Sequence, residues 1–416
     1  MTIRWITTLL GTGAFADIGP AREAIVVDVR DLVDKSGNEA SVVKEKIKQG
    51  IDGLRNGRRV IVCCDYGKSR SNAVAAGILA SFENRQFDEV LCQVLEATGE
   101  TEIKLEPLMA VRKAVGIPPE HKSSVGQGSI LVTGGGGFLG RMLTAALGDD
   151  VRVVALSRTD LDVSLGSTRI DLVAEQENVT CIAHFANPKI YTSNVAMGQS
   201  LTMLRNIIDV CTNRDIRLIY PSSWEVFSGY SGTIDAREST LPMPRGPFGE
   251  TKYLAECLIE HCIRNAGLRC ALLRSSPVFG PSSDRPKFLW NFIERALQSH
   301  PIVTHRYRNG EPALDLLYVD DFISAVLAVI NSEFVGTLNL GTGALTSTRQ
   351  LAHLIVDRLG SDSSVGRCDI DADVACIAMD CSAALQKIDW FPKVRLKIGL
   401  DQILSEEEEK WNHRNG

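Results

Sequence analysis

Cys64, Arg70 and Ser71 stand in the run Cys64-Asp-Tyr-Gly-Lys-Ser-Arg-Ser71. A cysteine with an arginine six residues on can do nucleophilic chemistry on a phosphate ester. Backbone N–H groups of a loop that opens a helix cradle a phosphoryl group. The planar fork of Arg70 binds two of its oxygens. The same positive surroundings lower the thiol pKa of Cys64, and the thiolate is the nucleophile. Ser71 can hydrogen-bond the sulfur or help the thiolate depart. A carboxyl on a neighbouring loop then protonates the leaving oxygen, and Asp31 and Asp34 are the candidates. The competing reading is a buried cysteine beside a surface turn.

A second chemistry is written in Ser129-Ile-Leu-Val-Thr-Gly-Gly-Gly-Gly-Phe-Leu-Gly140. Gly134, Gly137 and Gly140 fall at a GxxGxxG spacing. Glycines let the backbone turn sharply and approach a pyrophosphate, which then sits at a helix N-terminus. The turn Gly134-Gly140, with Phe138 and Leu139 in it, is the expected dinucleotide site. At the end of the next strand, where an acidic residue would hold the ribose hydroxyls of NAD, stand Ser157 and Arg158. They suit a 2′-phosphate and favour NADP; Asp160 and Asp162 close behind keep NAD open.

The elements that must position these residues follow from periodicity. Ala24–Arg30 and Arg59–Cys63 read as buried strands. Ser41–Leu54 and Asn72–Phe82 read as helices, so Cys64 ends a strand and faces a helix start. Ser129–Thr133 reads as strand, Arg141–Leu147 as helix and Val151–Leu156 as the next parallel strand. Cys181–Asn187, Arg217–Ser223 and Cys270–Gly280 are further strand ends, with hydroxyls at the carboxyl edge where ligands bind such sheets.

At Cys64, Arg70 and Ser71 the first domain resembles the cysteine-dependent protein tyrosine and dual-specificity phosphatases. Cys63 stands where those families commonly have a histidine. Their general acid lies roughly thirty residues before the cysteine, a spacing that admits Asp31 and Asp34 and leans to Asp31. The rest resembles the extended short-chain dehydrogenase/reductases, over nearly all of residues 129–400. Thr133–Gly140 matches their glycine motif. His184-Phe-Ala-Asn matches the segment bordering the cofactor, with Ala186 against it. Ser222-Ser223-Trp-Glu-Val-Phe carries the catalytic hydroxyl on Ser223. Leu317-Tyr-Val-Asp-Asp-Phe322 and Leu338-Asn-Leu-Gly-Thr-Gly343 match the substrate region. Ser157-Arg158 and Ser-Trp-Glu-Val-Phe look most like the dTDP-4-dehydrorhamnose reductase branch of these NAD-dependent epimerases and dehydratases.

One departure stands out. The family's catalytic motif is Tyr, three residues, Lys; here Phe248 precedes Lys252. In the family the phenol exchanges a proton with the substrate, and the lysine lowers its pKa while binding the nicotinamide ribose. Phenylalanine moves no proton, and Tyr253 points about 100° away on a helix. Three readings stay open. Another group, such as Glu225 or a water, moves the proton; or the domain binds cofactor or sugar without turnover; or the phenylalanine was placed there to trap a complex. His305-Arg-Tyr-Arg308 is either a nucleotide-diphosphate contact or a solvated turn. Ser405–Lys410 reads as the solvated end of a helix.

The chain has 416 residues and a net charge of −6 without a long basic run, which argues against nucleic-acid or membrane-surface partners. No stretch approaches the roughly 20 apolar residues of a membrane span. Met1–Leu10 has no signal-peptide pattern, and the eleven cysteines are scattered without zinc-type pairs. A cytoplasmic protein with reduced thiols is expected. Pro, Ser and Gly mark a linker at 119–128 between domains 1–118 and 129–416. The expected fold is α/β: a small phosphatase-like α/β domain, then a Rossmann-type doubly wound parallel sheet with a smaller C-terminal substrate subdomain. The expected function is bifunctional: a phosphocysteine phosphatase joined to an NAD(P)-dependent reductase or epimerase of sugar phosphates or nucleotide sugars. The alternative is a phosphatase regulated by an inactive cofactor- or sugar-sensing domain. The resemblance allows a homodimer.

Overall fold

The computed structural model describes residues 3–19, 24–35, 37–116, 128–148, 151–188, 193–283 and 286–415. The expected linker lies outside the described residues except for Gly128. Two units emerge: Met1–Gly128 with Leu161–Thr180 and Arg205–Ile216, and Ser129–Asp160 with Cys181–Leu204 and Arg217–Gly416.

The first unit holds β1 (Arg4–Trp5), β2 (Leu10–Ala14), β3 (Ala24–Asp28), α1 (Ala40–Arg55), β4 (Arg59–Cys64), α2 (Arg70–Glu83), α3 (Phe87–Thr98) and α4 (Leu105–Ala114). The sheet order is β1-β2-β4-β3. β4 pairs in parallel with both neighbours, Val62 opposite Thr12 on one side and Val27 on the other. A parallel strand covered on both faces reads as a continuous apolar run, and Val60 to Cys64 are all buried. The expected helix 72–82 begins two residues earlier, at Arg70, so the loop after Cys64 spans only 65–69. α2 is rich in small residues because its neighbours press close. A Cβ at Gly77 would lie 2.6 Å from Val111 Cγ1 on α4 and 3.0 Å from Ile47 Cδ1 on α1.

An ion-pair network draws stretches 161–180 and 205–216 into this unit. Arg112 Nη2 lies 2.7 Å from Asp88 and Nη1 lies 3.4 Å from Asp171, and Arg112 also pairs with Glu175. Arg214 pairs with Asp171 and Glu175 as well. Asp171 is fully buried; removing one member of such a network typically costs about 3–5 kcal/mol.

The second unit begins with β5 (Ser129–Thr133), α5 (Phe138–Leu147) and β6 (Val153–Leu156), the last starting two residues later than expected. In chain order next come α6 (Thr168–Gln176), β7 (Val179–His184), α7 (Asn194–Arg214), β8 (Arg217–Ser223), β9 (Gly232–Ala236), α8 (Pro247–Ala266), β10 (Cys270–Ser275) and β11 (Val278–Phe279). Of these, α6 and the C-terminal part of α7 belong to the first unit. Then follow α9 (Lys287–Leu297), β12 (Ile302–Tyr307), β13 (Ala313–Asp315), β14 (Leu317–Tyr318), α10 (Val319–Ile330) and β15 (Gly336–Leu340). The chain continues through β16 (Leu345–Ser347), α11 (Thr348–Leu359), β17 (Val365–Ile370), β18 (Ala375–Met379), α12 (Ser382–Ile388) and α13 (Leu396–Asn415). Six strands form the main sheet in the order β15-β10-β8-β7-β5-β6. From β5 the chain runs outward to β6, then crosses back to β7 and on to β15. The order therefore reverses between β5 and β7, and in doubly wound sheets ligands bind at the carboxyl ends of the strands at such a point. Shorter pairs complete the C-terminal region: β9 with β18, β12 with β17, and β13 with β16.

Candidate functional sites

In the first unit Cys64 ends β4, and its thiol is buried at 2 % exposure. The Gly67 N–H donates to Cys64 Sγ at 3.2 Å, and Ser71 Oγ lies 3.4 Å from the sulfur. Burial alone would raise the thiol pKa. The Ser71 hydroxyl and the backbone N–H groups of Ser71, Tyr66 and Lys68 outweigh it and hold the thiol below its ordinary value. Cys63 is pushed up to about 12 by burial and stays a thiol.

The loop is braced from three sides. Gly67 has φ +68°, and a Cβ there would fall 2.4 Å from Gly13 C and 2.5 Å from Ala14 N. Only glycine lets the loop lie on the end of β2. The Arg4 guanidinium donates to the Gly67 carbonyl and, at 3.1 Å, to the Thr98 carbonyl. The Lys104 N–H donates to Ser69 Oγ at 3.0 Å. Sequence reasoning missed Arg4 and Lys104: both act through loop backbone or a loop hydroxyl from far along the chain, with no spacing to reveal them.

Arg70 donates to the Leu32 carbonyl at 2.8 Å and the Arg30 carbonyl at 3.2 Å. Its Nη2 meets Asp65 at 2.6 Å, and its Nε lies 3.4 Å from Asp34. The two candidate acids part here. Asp34 sits against Arg70 and, at 3.2 Å, Lys104, whereas Asp31 pairs with Lys46 at 2.9 Å. The spacing leaned to Asp31; contact with Arg70 favours Asp34.

In the second unit a cavity of about 690 Å³ opens at the strand-order reversal. It is lined by the Gly134–Gly140 turn, by His184–Asn187 after β7, by Pro221–Glu225 after β8, by Phe248 and Lys252 of α8, and by Ser275–Val278 after β10. The sequence motifs thus converge on one cavity. The glycine turn is built for close approach. Gly134 has φ +72°, and a Cβ there would lie 2.7 Å from Ala186 N; one at Gly140 would lie 2.3 Å from Gly134 O. The turn ends at Gly137, which caps the N-terminus of α5. Thr133 Oγ1 and His184 Nδ1, 2.7 Å apart, tie β5 to β7. Burial pushes His184 down to about 3, so it stays neutral. Free N–H groups at a helix start, a turn no side chain could enter and a buried amine in one cavity fit a dinucleotide.

Ser223 caps the 3₁₀ turn after β8, its Oγ accepting from the Glu225 N–H at 3.2 Å. Burial holds the Glu225 carboxyl above its ordinary range. Gly249 lets α8 press on this turn, since a Cβ there would lie 2.6 Å from the Glu225 carbonyl. Lys252 donates to the Pro221 carbonyl at 2.7 Å, and its Nζ lies 5.8 Å from the Phe248 ring centroid. Tyr220 reaches Lys252 at 3.3 Å, yet it does not line the cavity, and burial raises its pKa. Tyr253 packs instead beside Val226, Phe227 and Met379.

A buried pair that the sequence reading passed over fixes α8. Arg274 of β10 meets Glu256 at 2.8 Å, and the Ser222 hydroxyl donates to the same carboxylate. The signal was present: Glu256 follows Lys252 by one helical turn, and Arg274 interrupts the apolar run Cys270–Leu273. Ser157 and Arg158 do not line the cavity. Asp160 accepts from the Ser157 N–H at 2.9 Å and from its hydroxyl at 2.5 Å. The run 305–308 lies on and just beyond β12, outside the cavity, with Arg308 paired to Asp373 at 3.2 Å. That is the solvated reading. In the tail, Lys410 pairs with Glu406 and Glu407 at 2.8 Å each.

Desolvation lowers Lys252 to about 8, partly offset by Glu256. The fold therefore penalises the protonated amine, by about 3 kcal/mol at neutral pH for a shift of this size. The penalty is full below pH about 8 and vanishes above the unfolded value of 10.5. Lys252→Met is thus expected to raise the urea midpoint at pH 7. The advantage should shrink as pH climbs through that window, because the wild type alone gains stability there. A gap independent of pH would refute the buried-charge account.

Among the described residues no helix is long and apolar enough to cross a membrane, and no cluster of His, Cys, Asp and Glu could hold a metal ion. None of the eleven cysteines is in a disulfide.

Residues 130–341 match the NAD dependent epimerase/dehydratase family. The chain is similar to UDP-glucuronic acid decarboxylase 1 of Arabidopsis thaliana, 24% identical over 67% of this chain and 69% of that protein. It is similar to dTDP-D-glucose 4,6-dehydratase of Homo sapiens, 24% identical over 66% and 88%. Its fold matches the UDP-glucose 4-epimerase of Thermus thermophilus in complex with NAD, with a TM-score of 0.60 and 20% identity over 67% of this chain and 99% of that one. The family match stops short of the Cys64 loop and covers a little over half of the 416 residues. The chain belongs to the NAD dependent epimerase/dehydratase family.

Proposed function

We propose a bifunctional enzyme of sugar or nucleotide-sugar metabolism. One site hydrolyses a phosphate monoester through Cys64, and the other carries out NAD(P)-dependent reduction or epimerisation. What carries the first half is the braced loop that aims N–H groups at a buried thiol of lowered pKa. An incoming phosphoryl group displaces Asp34 and Asp65 from Arg70. The Cys64 thiolate attacks phosphorus, the ester P–O bond breaks, and the leaving oxygen takes the proton of Asp34. Water then attacks the phosphocysteine and gives a proton back to Asp34. The S–P bond breaks, and the thiolate returns to Ser71 and the Gly67 N–H. Asp31 is the second candidate for the acid.

In the second half the Gly134–Gly140 turn, Ala186 and Lys252 would hold the dinucleotide. When bound, that group accepts or returns a hydride. Ser223 hydrogen-bonds the substrate oxygen. Glu225, beside Ser223 with a carboxyl of raised pKa, moves the proton that Phe248 cannot. Ser157 and Arg158 favour NADP, and the hold of Asp160 on Ser157 supports NAD. The relatives include proteins named for UDP and dTDP sugars, which supports a nucleotide-sugar substrate, and fusion makes sense if the two steps are consecutive.

A second reading rests on Phe248: a phosphatase regulated by a domain that senses NAD(P) or a sugar without turning it over. The test measures phosphate release from sugar phosphates, nucleotides and phosphotyrosine peptides, with nicotinamide absorbance followed beside nucleotide sugars. Both signals support the bifunctional enzyme. Phosphate release alone supports the sensing reading. Neither would defeat both.

A further inference from the structure

Tyr66 sits two residues beyond the nucleophile, so its Cα lies within about 7 Å of that of Cys64. Its backbone N–H serves the Cys64 sulfur, yet its side chain is 76% exposed, more than any other large apolar side chain among the described residues. A solvated aromatic side chain in the loop that holds a buried nucleophile is unusual, since rings of this size generally bury or meet a partner. A second ring stands near the same loop. Phe15 directly follows Ala14, the residue on which Gly67 lies, and is 42% exposed. The Arg30 guanidinium covers Phe15, with Cζ 3.3 Å from the ring centroid, while the Arg30 carbonyl accepts from Arg70 at 3.2 Å. The exposed surroundings of the phosphate loop thus include two rings and a stacked Arg30 cation, which Asp28 pairs at 2.7 Å, beside the charged side chains of Asp65 and Lys68.

We propose that Tyr66, with the Phe15–Arg30 stack, forms a ring-binding rim that makes the Cys64 site selective for small phosphate monoesters whose leaving group is a ring. The phosphoryl group is held by the loop and Arg70. The ring of the leaving group lies against Tyr66, an aromatic face that accepts a pyranose or a planar ring without hydrogen-bond demands. An acyclic leaving group gains nothing there. This rests on the phosphatase reading and adds the substrate class to it.

The test uses the full chain. Binding of glucose 1-phosphate, phenyl phosphate and glycerol 3-phosphate is measured by calorimetry in the Cys64→Ser background, and phosphate release from each is measured in the wild type. The two ring esters are expected to bind about tenfold more tightly than glycerol 3-phosphate. Tyr66→Ala should erase that difference, chiefly through KM, with kcat little changed. Tyr66→Phe should keep it, since the ring and not the hydroxyl makes the contact. The two ring esters also report whether a pyranose or a planar ring is preferred. Equal binding of all three, or a Tyr66→Ala effect shared by glycerol 3-phosphate, overturns the rim while leaving the phosphatase intact. No binding and no release from any of them ends the phosphatase reading, and the rim with it.

Discussion

Cys64→Ser is expected to cut phosphate release by about 10⁴-fold or more, the scale on which losing a nucleophile that acts as part of a unit is felt. The serine hydroxyl would sit in the same braced loop, but it ionises far less readily than a thiol held below its ordinary value of 9.0. Ser71 supplies part of that lowering, so Ser71→Ala should move the pH midpoint of Cys64 alkylation upward. The direction is fixed by chemistry: removing a donor to the thiolate favours the thiol. Iodoacetamide labelling across pH reads this without any substrate. An unmoved midpoint would mean that Ser71 does not stabilise the thiolate. Phosphate release that survives in Cys64→Ser would remove the phosphocysteine from the mechanism.

Phe248→Tyr is expected to raise nicotinamide turnover with nucleotide sugars by about 10²-fold or more, the usual worth of a positioned acid–base group. The new hydroxyl would extend from a ring already lining the cavity, with the Lys252 amine 5.8 Å from the ring centroid. In the wild type, Glu225→Gln should abolish the residual turnover; in the Phe248→Tyr background it should matter less. A wild type that is silent until tyrosine is restored favours the sensing domain. Silence in both variants would show that the substrate oxygen never reaches Ser223.

The two loops were legible because each is local. Cys64 to Ser71 and Gly134 to Gly140 are short runs in which strand, loop and helix start are consecutive in the chain, so residue spacing maps onto geometry. The convergence of the glycine turn with Ser223 and Lys252 on one cavity was legible through the strand ends, which doubly wound topology brings to one edge. The supports were not. Arg4 reaches Gly67 across 63 residues, and Arg274 reaches Glu256 across 18; such contacts carry no period. Nor does any pattern tell that Arg112 and Arg214 gather Asp171 and Glu175. The choice between Asp31 and Asp34 turned on where Arg70 reaches, which spacing alone could not supply.

The carboxylates of Asp34 and Asp65 on Arg70 would have a kinetic consequence for the hydrolysis proposed above. A guanidinium left bare after hydrolysis would cling to inorganic phosphate, and turnover would wait on its departure. Here two internal counter-ligands stand ready to take over its N–H groups, one from the phosphate loop itself and one from the loop after β3. In the proposed reaction the phosphoryl dianion would exchange with them on arrival and be exchanged out again on leaving. Affinity for the ester would be traded for rapid clearance of product, and ambient phosphate would be a poor inhibitor of the site.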